Sequence, residues 1–486
     1  MKLDLIKMIE FEEKYNLKNR KVLNINYWDF CRMNIFYELK ANYEKTNLVA
    51  DLCKKIKIKD KKLNIGCFKN YFFGKNKEID LLFISDPRRT KQNNLYESIF
   101  IDSISNYLKD EYVTMTIEEP SWRAWGYGMP PHFFPTSSTN LKYTDIYELN
   151  FVIKEKIFRL FNKKEIKLIE KELDYLYNII NNEFKVDISY TKNVFSSLII
   201  YFIVMGKKYL KLLKKLDPKL VLLNYRPTYF KVLINSICRA NNITTVDLQH
   251  GVISKEDPLD RKNPKGFDCL STSDYLFAYG EKLVDKTNLC FFEKNIKYVG
   301  FPFLERKYKN NIKKPEILNK KYKYILIISQ SIAGEKFAKF AEELSDLLKE
   351  QKEYKIIFKY HPNELTKDFK CLKKSNIIEI KNLDYEIYQF QKYSYCQIGA
   401  YSTGLYEGLK FELPTIILEN FPGADGTLKT LNFIKKGVYK VKTPEEIDKI
   451  LKKIESPSSK DVNLLWKSNS LENIKNEIEK ILQKKL

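Results

Sequence analysis

Strand-like apolar runs that alternate with amphipathic stretches leave a chain few ways to fold. The clearest case lies between Leu216 and Gly251: LDPKLVLLNYR reads as an apolar strand, YFKVLINSICRANN as a helix with an Asn-rich end, and ITTVDLQHG as a second strand. A second series starts at Lys323 with strand YILIISQS, helix EKFAKFAEELSDLLKEQ and strands KIIFKYHP and NIIEI. It continues with helix YEIYQFQKYS, strand YCQIGAYS, helix TGLYEGLKF and strand PTIILEN. Such alternation predicts parallel sheets covered by helices on both faces, the doubly wound α/β class.

A chain of 486 residues is too long for one hydrophobic core. The two series are therefore assigned to two Rossmann-like domains facing each other across a cleft. DYLFAYGEK and IKYVGFPFLE are taken as the last strands of the first domain. The polar, Pro315-containing stretch ERKYKNNIKKPEILNKK is taken as the interdomain linker. The expected boundaries are an acceptor-binding domain over 1–310 and a nucleotide-sugar-binding domain over 311–456. Residues 457–486 are expected to form a terminal helix that returns to the first domain.

The first 150 residues carry weaker signals. LNIGCFKNYFF and IDLLFISD read as strands and LYESIFIDSISNYLKD as a helix. EEPSWRAWGYGMPPHFFPTSSTN reads as a long irregular loop holding Trp122, Trp125, Tyr127, His132, Phe133 and Phe134. Loops of that length in compact domains are often functional. Aromatic faces flanked by Arg123 and His132 suit a sugar acceptor, although the same residues also suit a loop tucked against the core.

Lys and Arg total 85 against 62 Asp and Glu, a net charge of +23. The excess is compatible with a Lys-rich composition alone or with an anionic partner. No nucleic-acid-binding signature accompanies it, so an anionic membrane surface or glycan is preferred over nucleic acid. The eight cysteines never fall in CxxC spacing. The N-terminus lacks a secretory pattern, and the longest apolar run, Phe195 to Met205, is too short for a bilayer. A cytoplasmic protein, peripheral at most on the inner face of the membrane, is expected.

In an open α/β domain, ligands bind beyond the carboxyl ends of the strands. Polar residues at those positions are Asp86 with Arg88 and Arg89, Glu118 with Glu119, Asn224 with Arg226, and Gln249-His250-Gly251. The second series adds Ser329-Gln330-Ser331, Lys359-Tyr360-His361-Pro362, Tyr401-Ser402-Thr403-Gly404 and Glu419-Asn420. Two of only three histidines, His250 and His361, end predicted strands. Pro362 fixes the turn after His361 and aims the imidazole at a phosphate. Ser402 and Thr403, at the start of a helix near Gly404, suit an anion site, an N-cap, or both. Glu407 lies on the same helical face as Thr403 and either meets ribose hydroxyls or faces solvent. Gly251 permits a close backbone approach. His250 is a candidate general base, with Glu118, Glu119 and Asp86 as competitors, and the choice among them stays open.

No Asp-x-Asp pair and no zinc-type His/Cys spacing is present, so neither metal nor cofactor is expected. The leaving group's charge then falls to Lys359, His361, the hydroxyls of Ser402 and Thr403, and helix N–H groups. Walker A and GxGxxG motifs are absent as well.

At QHG, KYHPNE and AYSTGLYEGLKFELPTIIL the chain resembles bacterial GT-B glycosyltransferases of surface glycans. The His-Pro followed by a Ser-Thr pair is similar to sialyltransferases and capsule transferases that use CMP-activated sugars. That similarity implies phosphate and ribose contacts at His361, Pro362, Ser402 and Thr403. His250-Gly251 resembles the His-Gly of CDP-glycerol glycerophosphotransferases and capsule Kdo transferases. Those sialyltransferases carry an acidic pair followed by glycine, whereas this chain has Glu118-Glu119-Pro120. The resemblance implies transfer of a sugar, from a CMP-sugar by preference, to a glycan or lipid-linked acceptor in capsule or lipooligosaccharide synthesis. A CDP-glycerol-type transferase and a UDP-sugar epimerase-like enzyme are the alternatives.

Overall fold

The structure is a computed structural model that describes residues 5–44, 78–87, 89–92, 94–119, 136–138, 140–224, 228–253, 272–287, 289–331, 333–364, 367–381 and 385–484. Its strands are β1 (Leu81–Ser85), β2 (Thr90–Gln92), β3 (Leu95–Glu97), β4 (Thr114–Glu118), β5 (Leu141–Tyr143), β6 (Leu220–Asn224), β7 (Thr244–Leu248), β8 (Tyr275–Ala278) and β9 (Ile296–Tyr298). The chain continues with β10 (Lys323–Ile328), β11 (Tyr354–Lys359), β12 (Ile377–Ile380), β13 (Cys396–Gly399), β14 (Thr415–Leu418) and β15 (Val438–Val441).

Two wholly parallel sheets result, in the orders β5-β4-β1-β6-β7-β8-β9 and β12-β11-β10-β13-β14-β15. Each sheet starts in its middle, winds one way for three strands and then the other. The two units are therefore Rossmann-like, with topological switch points between β1 and β6 and between β10 and β13. Their central strands are buried throughout apart from the exposed Lys323 that opens β10, as a sheet covered on both faces requires. On one face of the first sheet Leu82, Ile84, Ile117 and Val221 pack under the helices Leu5–Lys14, Trp28–Glu44, Lys163–Phe184 and Lys192–Leu216. The alternate residues Leu81, Phe83 and Leu222 face the other way, into a core shared with the second unit.

The chain's end joins the units. The helices Ser459–Leu465 and Ser470–Gln483 leave the second unit and return to the first, where Tyr107 donates to Glu472 at 2.9 Å and Lys475 pairs with Glu111 at 2.6 Å. Between them, Trp466 packs its ring against Tyr279 and Phe301 of the first unit and donates its indole N–H to the carbonyl of Tyr406 in the second, at 2.8 Å. Gly280 and Gly300 lie so close that a Cβ would stand 2.2 Å from the Leu465 carbonyl and 2.1 Å from that of Lys467.

Several sequence expectations are corrected. Leu95–Glu97 is a strand, antiparallel to Thr90–Gln92, because its alternate side chain Glu97 is pulled in by Arg306; the helix begins only at Asp102. The expected linker is partly a helix, Pro302–Lys309, whose Glu305 and Lys307 are buried in ion pairs. Its Lys307 bonds Glu386, the N-cap of the helix Ile387–Tyr393, at 2.5 Å, so this segment fastens the units together. The strand expected over LNIGCFKNYFF and residues 120–135 of the aromatic loop lie outside the described residues.

Glu305 gathers this junction. Burial would push its carboxyl up, but Lys309, the Ser470 hydroxyl and N–H, and the Asn469 N–H outweigh burial and hold it at about 2, below the ordinary 4.5. A depressed carboxylate contributes its stability above the unfolded value and loses it as the pH falls. We therefore expect unfolding free energy to drop by about 1–2 kcal/mol between pH 4.5 and pH 2 through this group, after allowance for solvent screening. Glu305→Gln should remove that increment, read as a difference between urea midpoints measured across the range.

Candidate functional site

The polar strand ends line up in sheet order. Along the first sheet, β4, β1, β6 and β7 present Glu119, Asp86, Asn224 and Gln249, neighbours through the registers Ser85↔Glu118, Ile84↔Leu223 and Asn224↔Leu248. Asp86 accepts from Asn224 Nδ2 at 2.7 Å, and the buried Lys231 ammonium lies 3.7 Å from Asp86 and 3.3 Å from Glu119. All four side chains are at most 5% exposed. Two carboxylates sharing one buried cation form a polar core directly beneath the switch point.

Glu118 takes a different set of partners. It points to the opposite face from Glu119, and Arg89 grips it through Nε at 2.8 Å and Nη2 at 2.6 Å. Arg89 also pairs with Asp102 at 3.1 Å and bonds Thr136 and Ser138. These ion pairs hold the hairpin to the helix Asp102–Leu108.

Gln249 shapes the next turn. Its amide donates to the carbonyls of Gly251 and Leu283 at 2.6 and 3.0 Å, and accepts from the Tyr279 N–H at 2.7 Å. This presents His250, half-buried, followed by Gly251, at which a Cβ would stand 3.4 Å from Thr403 Oγ1. The first unit's histidine turn therefore rests on the start of the helix Thr403–Lys410 in the second. Ser402 caps that helix, its hydroxyl accepting from the Gly404 N–H at 3.2 Å. The N-cap reading of Ser402 holds, and the Thr403 hydroxyl faces the first unit.

In the second unit the ends of β10, β11 and β13 converge on Glu364, a residue the sequence reading did not single out. Fully buried, its Oε2 accepts from Ser329 Oγ at 2.7 Å and from the His361 N–H at 3.1 Å, while the Glu364 N–H returns to the His361 carbonyl at 2.8 Å. Pro362 opens the short 3₁₀ turn that closes this loop. The spacing of a glutamate three residues after His361 was the available signal, since it lets the side chain reach back over one turn. Lys231 was also missed; a lysine within the apolar face of YFKVLINSICRA was its signal.

Electrostatics at this edge have one physical cause. Burial lowers Lys359 from its ordinary 10.5 to about 8. Burial likewise lowers His361, with Glu364 opposing. Burial raises the Tyr401 hydroxyl, and Glu364 adds to that. The hydroxyl is buried and meets no hydrogen-bond partner among the described residues. Glu407 is half-buried rather than solvated; burial pushes its carboxyl up to about 7, with Tyr388 opposing. Gln330, Ser331, Glu419 and Asn420 flank the group, and Ser331, Glu419 and Asn420 line an open recess of about 800 Å³. Arg88, Arg226, His132 and the other aromatic-loop residues lie outside the described residues. Along the carboxyl edge of the second sheet the strand ends carry an ammonium, an imidazole, hydroxyls and a helix N-terminus, groups of the kind that bind anions.

No family model and no curated protein matches this chain. Among solved structures it is similar to the UDP-GlcNAc 2-epimerase of Methanocaldococcus jannaschii, at 15% identity and a TM-score of 0.50, over 83% of this chain and 100% of that one. It is also similar to S. aureus MnaA solved with UDP (14% identity, TM-score 0.48, 83% and 97% of the two chains) and to the wall teichoic acid polymerase TagF (12%, 0.44, 84% and 90%). With the Methanocaldococcus protein the chain shares its fold, two Rossmann-like units in the GT-B arrangement.

Because Lys359 loses its proton near pH 8, anion binding at this edge should weaken as the pH rises past that value. Titration with inorganic pyrophosphate is expected to show affinity falling by up to about tenfold per pH unit above pH 8. Lys359→Met should bind weakly at all pH values and show no such slope.

Proposed function

We propose that this protein is a glycosyltransferase that moves a sugar from a nucleotide-activated donor to a glycan or lipid-linked acceptor without a metal ion. The observation that carries the reading is that a Cβ on Gly251, next to His250, would stand 3.4 Å from Thr403 Oγ1. It sets a potential base, His250, beside a helix N-terminus that together with Lys359 and His361 suits a leaving phosphate.

In the reaction the acceptor hydroxyl attacks the anomeric carbon, and a carbon–oxygen bond forms as the bond from that carbon to the donor phosphate breaks. The nucleotide leaves with that bonding pair. The hydroxyl proton passes to His250, or to Asp86, Glu118 or Glu119. Ser402, Thr403, Gly404 and the turn at His361-Pro362 hold the phosphate; Ser329 and Gln330 border it; Glu407, carboxylic acid and carboxylate in comparable amounts near pH 7, suits the ribose hydroxyls. Negative charge developing on the leaving oxygen is met by Lys359 and by backbone N–H groups, which makes a divalent cation unnecessary. We take the donor to be a CMP-sugar, on the motif resemblance of the His-Pro and Ser-Thr pairs, and the product to belong to capsule or lipooligosaccharide. A CDP-glycerol-type transfer uses the same edge.

A second reading, a UDP-sugar epimerase-like enzyme, has support in the similarity to the Methanocaldococcus protein, whose fold is shared. The two differ in whether an acceptor is consumed.

A thermal-shift series with CMP, CDP, UDP, GDP and ADP tests the donor. A ligand at 100 times its Kd should stabilise by ~2.7 kcal/mol. Protection of the wild type by CMP or CDP, unaltered by EDTA and absent in His361→Ala, is expected; protection by UDP alone would overturn the cytidine assignment. For turnover, His250→Ala is expected to slow acceptor-dependent release of nucleotide by ~10²-fold or more while leaving nucleotide protection intact. Conversion of a UDP-sugar with no acceptor present would decide for the epimerase.

A further inference from the structure

The first unit carries a surface that the proposed chemistry does not use. Its helix Asp145–Phe161 begins directly after β5, at the carboxyl edge of the sheet where the candidate site lies. It packs antiparallel to the helix Lys192–Leu216: Glu148 near the start of the first bonds Tyr201 and Tyr209, while Arg159 near its end bonds Ser196 and Ser197. Since Lys192–Leu216 runs down toward the amino end of β6, Asp145–Phe161 runs the other way, outward from the carboxyl edge for roughly 25 Å.

Along this outward helix Ile153, Ile157, Leu160 and Phe161 stand at spacings of four, three and one, forming one stripe. They are 63%, 49%, 66% and 82% exposed, and Leu168 on the following helix is 52% exposed. Large aliphatic and aromatic side chains rarely stand bare in such a group unless another surface covers them. Beside the stripe the two helices leave a groove of about 800 Å³ whose lining, among the described residues, holds Lys154, Lys207, Lys208, Lys211 and Lys215 and no carboxylate. Lys208 lies over the Tyr147 ring at 3.8 Å; burial and then repulsion from Lys154 lower its pKa, which marks a cation crowded by others of its sign. An apolar stripe edged by lysines, on a helix whose other face is packed, matches the amphipathic pattern that lies in a bilayer interface.

We propose that this face docks on an anionic phospholipid bilayer, with Ile153, Ile157, Leu160 and Phe161 entering the interface and the lysine groove taking lipid phosphates. The inference rests on the transferase reading only for its purpose, to bring a lipid-linked acceptor to the carboxyl edge; the docking itself is read independently. Among the described residues no helix is long and apolar enough to cross a membrane, so attachment through this face is reversible and peripheral. Charge and insertion contribute together, and each lysine near an anionic surface adds about fivefold in affinity (~1 kcal/mol).

Co-sedimentation of the full chain with phosphatidylcholine vesicles containing one third phosphatidylglycerol tests this. The wild type should bind them, release at high salt and ignore pure phosphatidylcholine. Lys207→Gln with Lys211→Gln should bind roughly 25-fold more weakly, and Ile157→Asp with Phe161→Asp should lose binding. Both should keep the wild-type melting temperature and nucleotide protection; if the aspartate pair melts early, Phe161→Ser carries the comparison. Wild-type protein that stays in the supernatant, or variants that sediment like it, would overturn the proposal. So would binding of soluble polyphosphate in place of vesicles, which would make the groove a polyanion site. Loss of nucleotide protection in the wild type would sink the transferase reading and leave the docking result standing.

Discussion

The site depends on how one indole is held. Trp466 fills the space between Tyr279 and Phe301 of the first unit and bonds the Tyr406 carbonyl in the second. Tyr406 lies one turn into the helix that starts at Thr403, and Thr403 is the residue that Gly251 meets across the cleft. Two Rossmann-like units facing each other would by themselves be free to hinge. The indole and the core around it give the second unit's anion-binding helix a fixed station relative to the first unit's histidine turn. Glu305 and Glu386 fasten the same junction from either side, each by accepting from groups on segments distant in sequence.

The second sheet was almost wholly legible. Each of its strands from β10 to β14 was read at nearly its observed place, because both faces are covered and the runs are continuously apolar, and the helices between them are short and amphipathic. β15 went unread: VYKV is short, alternating and on an edge. The first unit was legible only where it does the same, at β1, β6, β7, β8 and β9. Its long helices Asp145–Phe161 and Lys163–Phe184 were missed, and Lys192–Leu216 was read only over its apolar run Phe195 to Met205; the charged residues on the rest leave these helices to declare themselves by what they pack against. Leu95–Glu97 read as helix because isolated propensity cannot register that Arg306, more than two hundred residues on, draws Glu97 inward.

The candidate site divides in the same way. Residues at strand ends were found by position: Asp86, Glu119, His250, Ser329, His361 and Ser402 all sit there. Roles were less legible than places. Glu118 and Glu119 are adjacent in sequence and were weighed alike, yet the pleat sends them to opposite faces, one to Arg89 and the other to Lys231. Glu364 escaped notice because it ends no strand; it acts by folding the His361 loop back onto Ser329.

The shifted groups at the second unit's edge share a logic that bears on ligand binding. Burial moves Lys359 to about 8 and Glu407 to about 7, each toward its neutral form. A desolvated edge that minimises its own charge costs less to fold than one that keeps full charges apart from water. A phosphate arriving there reverses the balance for the lysine and the imidazole, since an anion at hydrogen-bonding distance favours their protonated forms. Proton uptake is thereby coupled to anion binding, most strongly where the pH lies near or above 8 and Lys359 would otherwise be losing its proton.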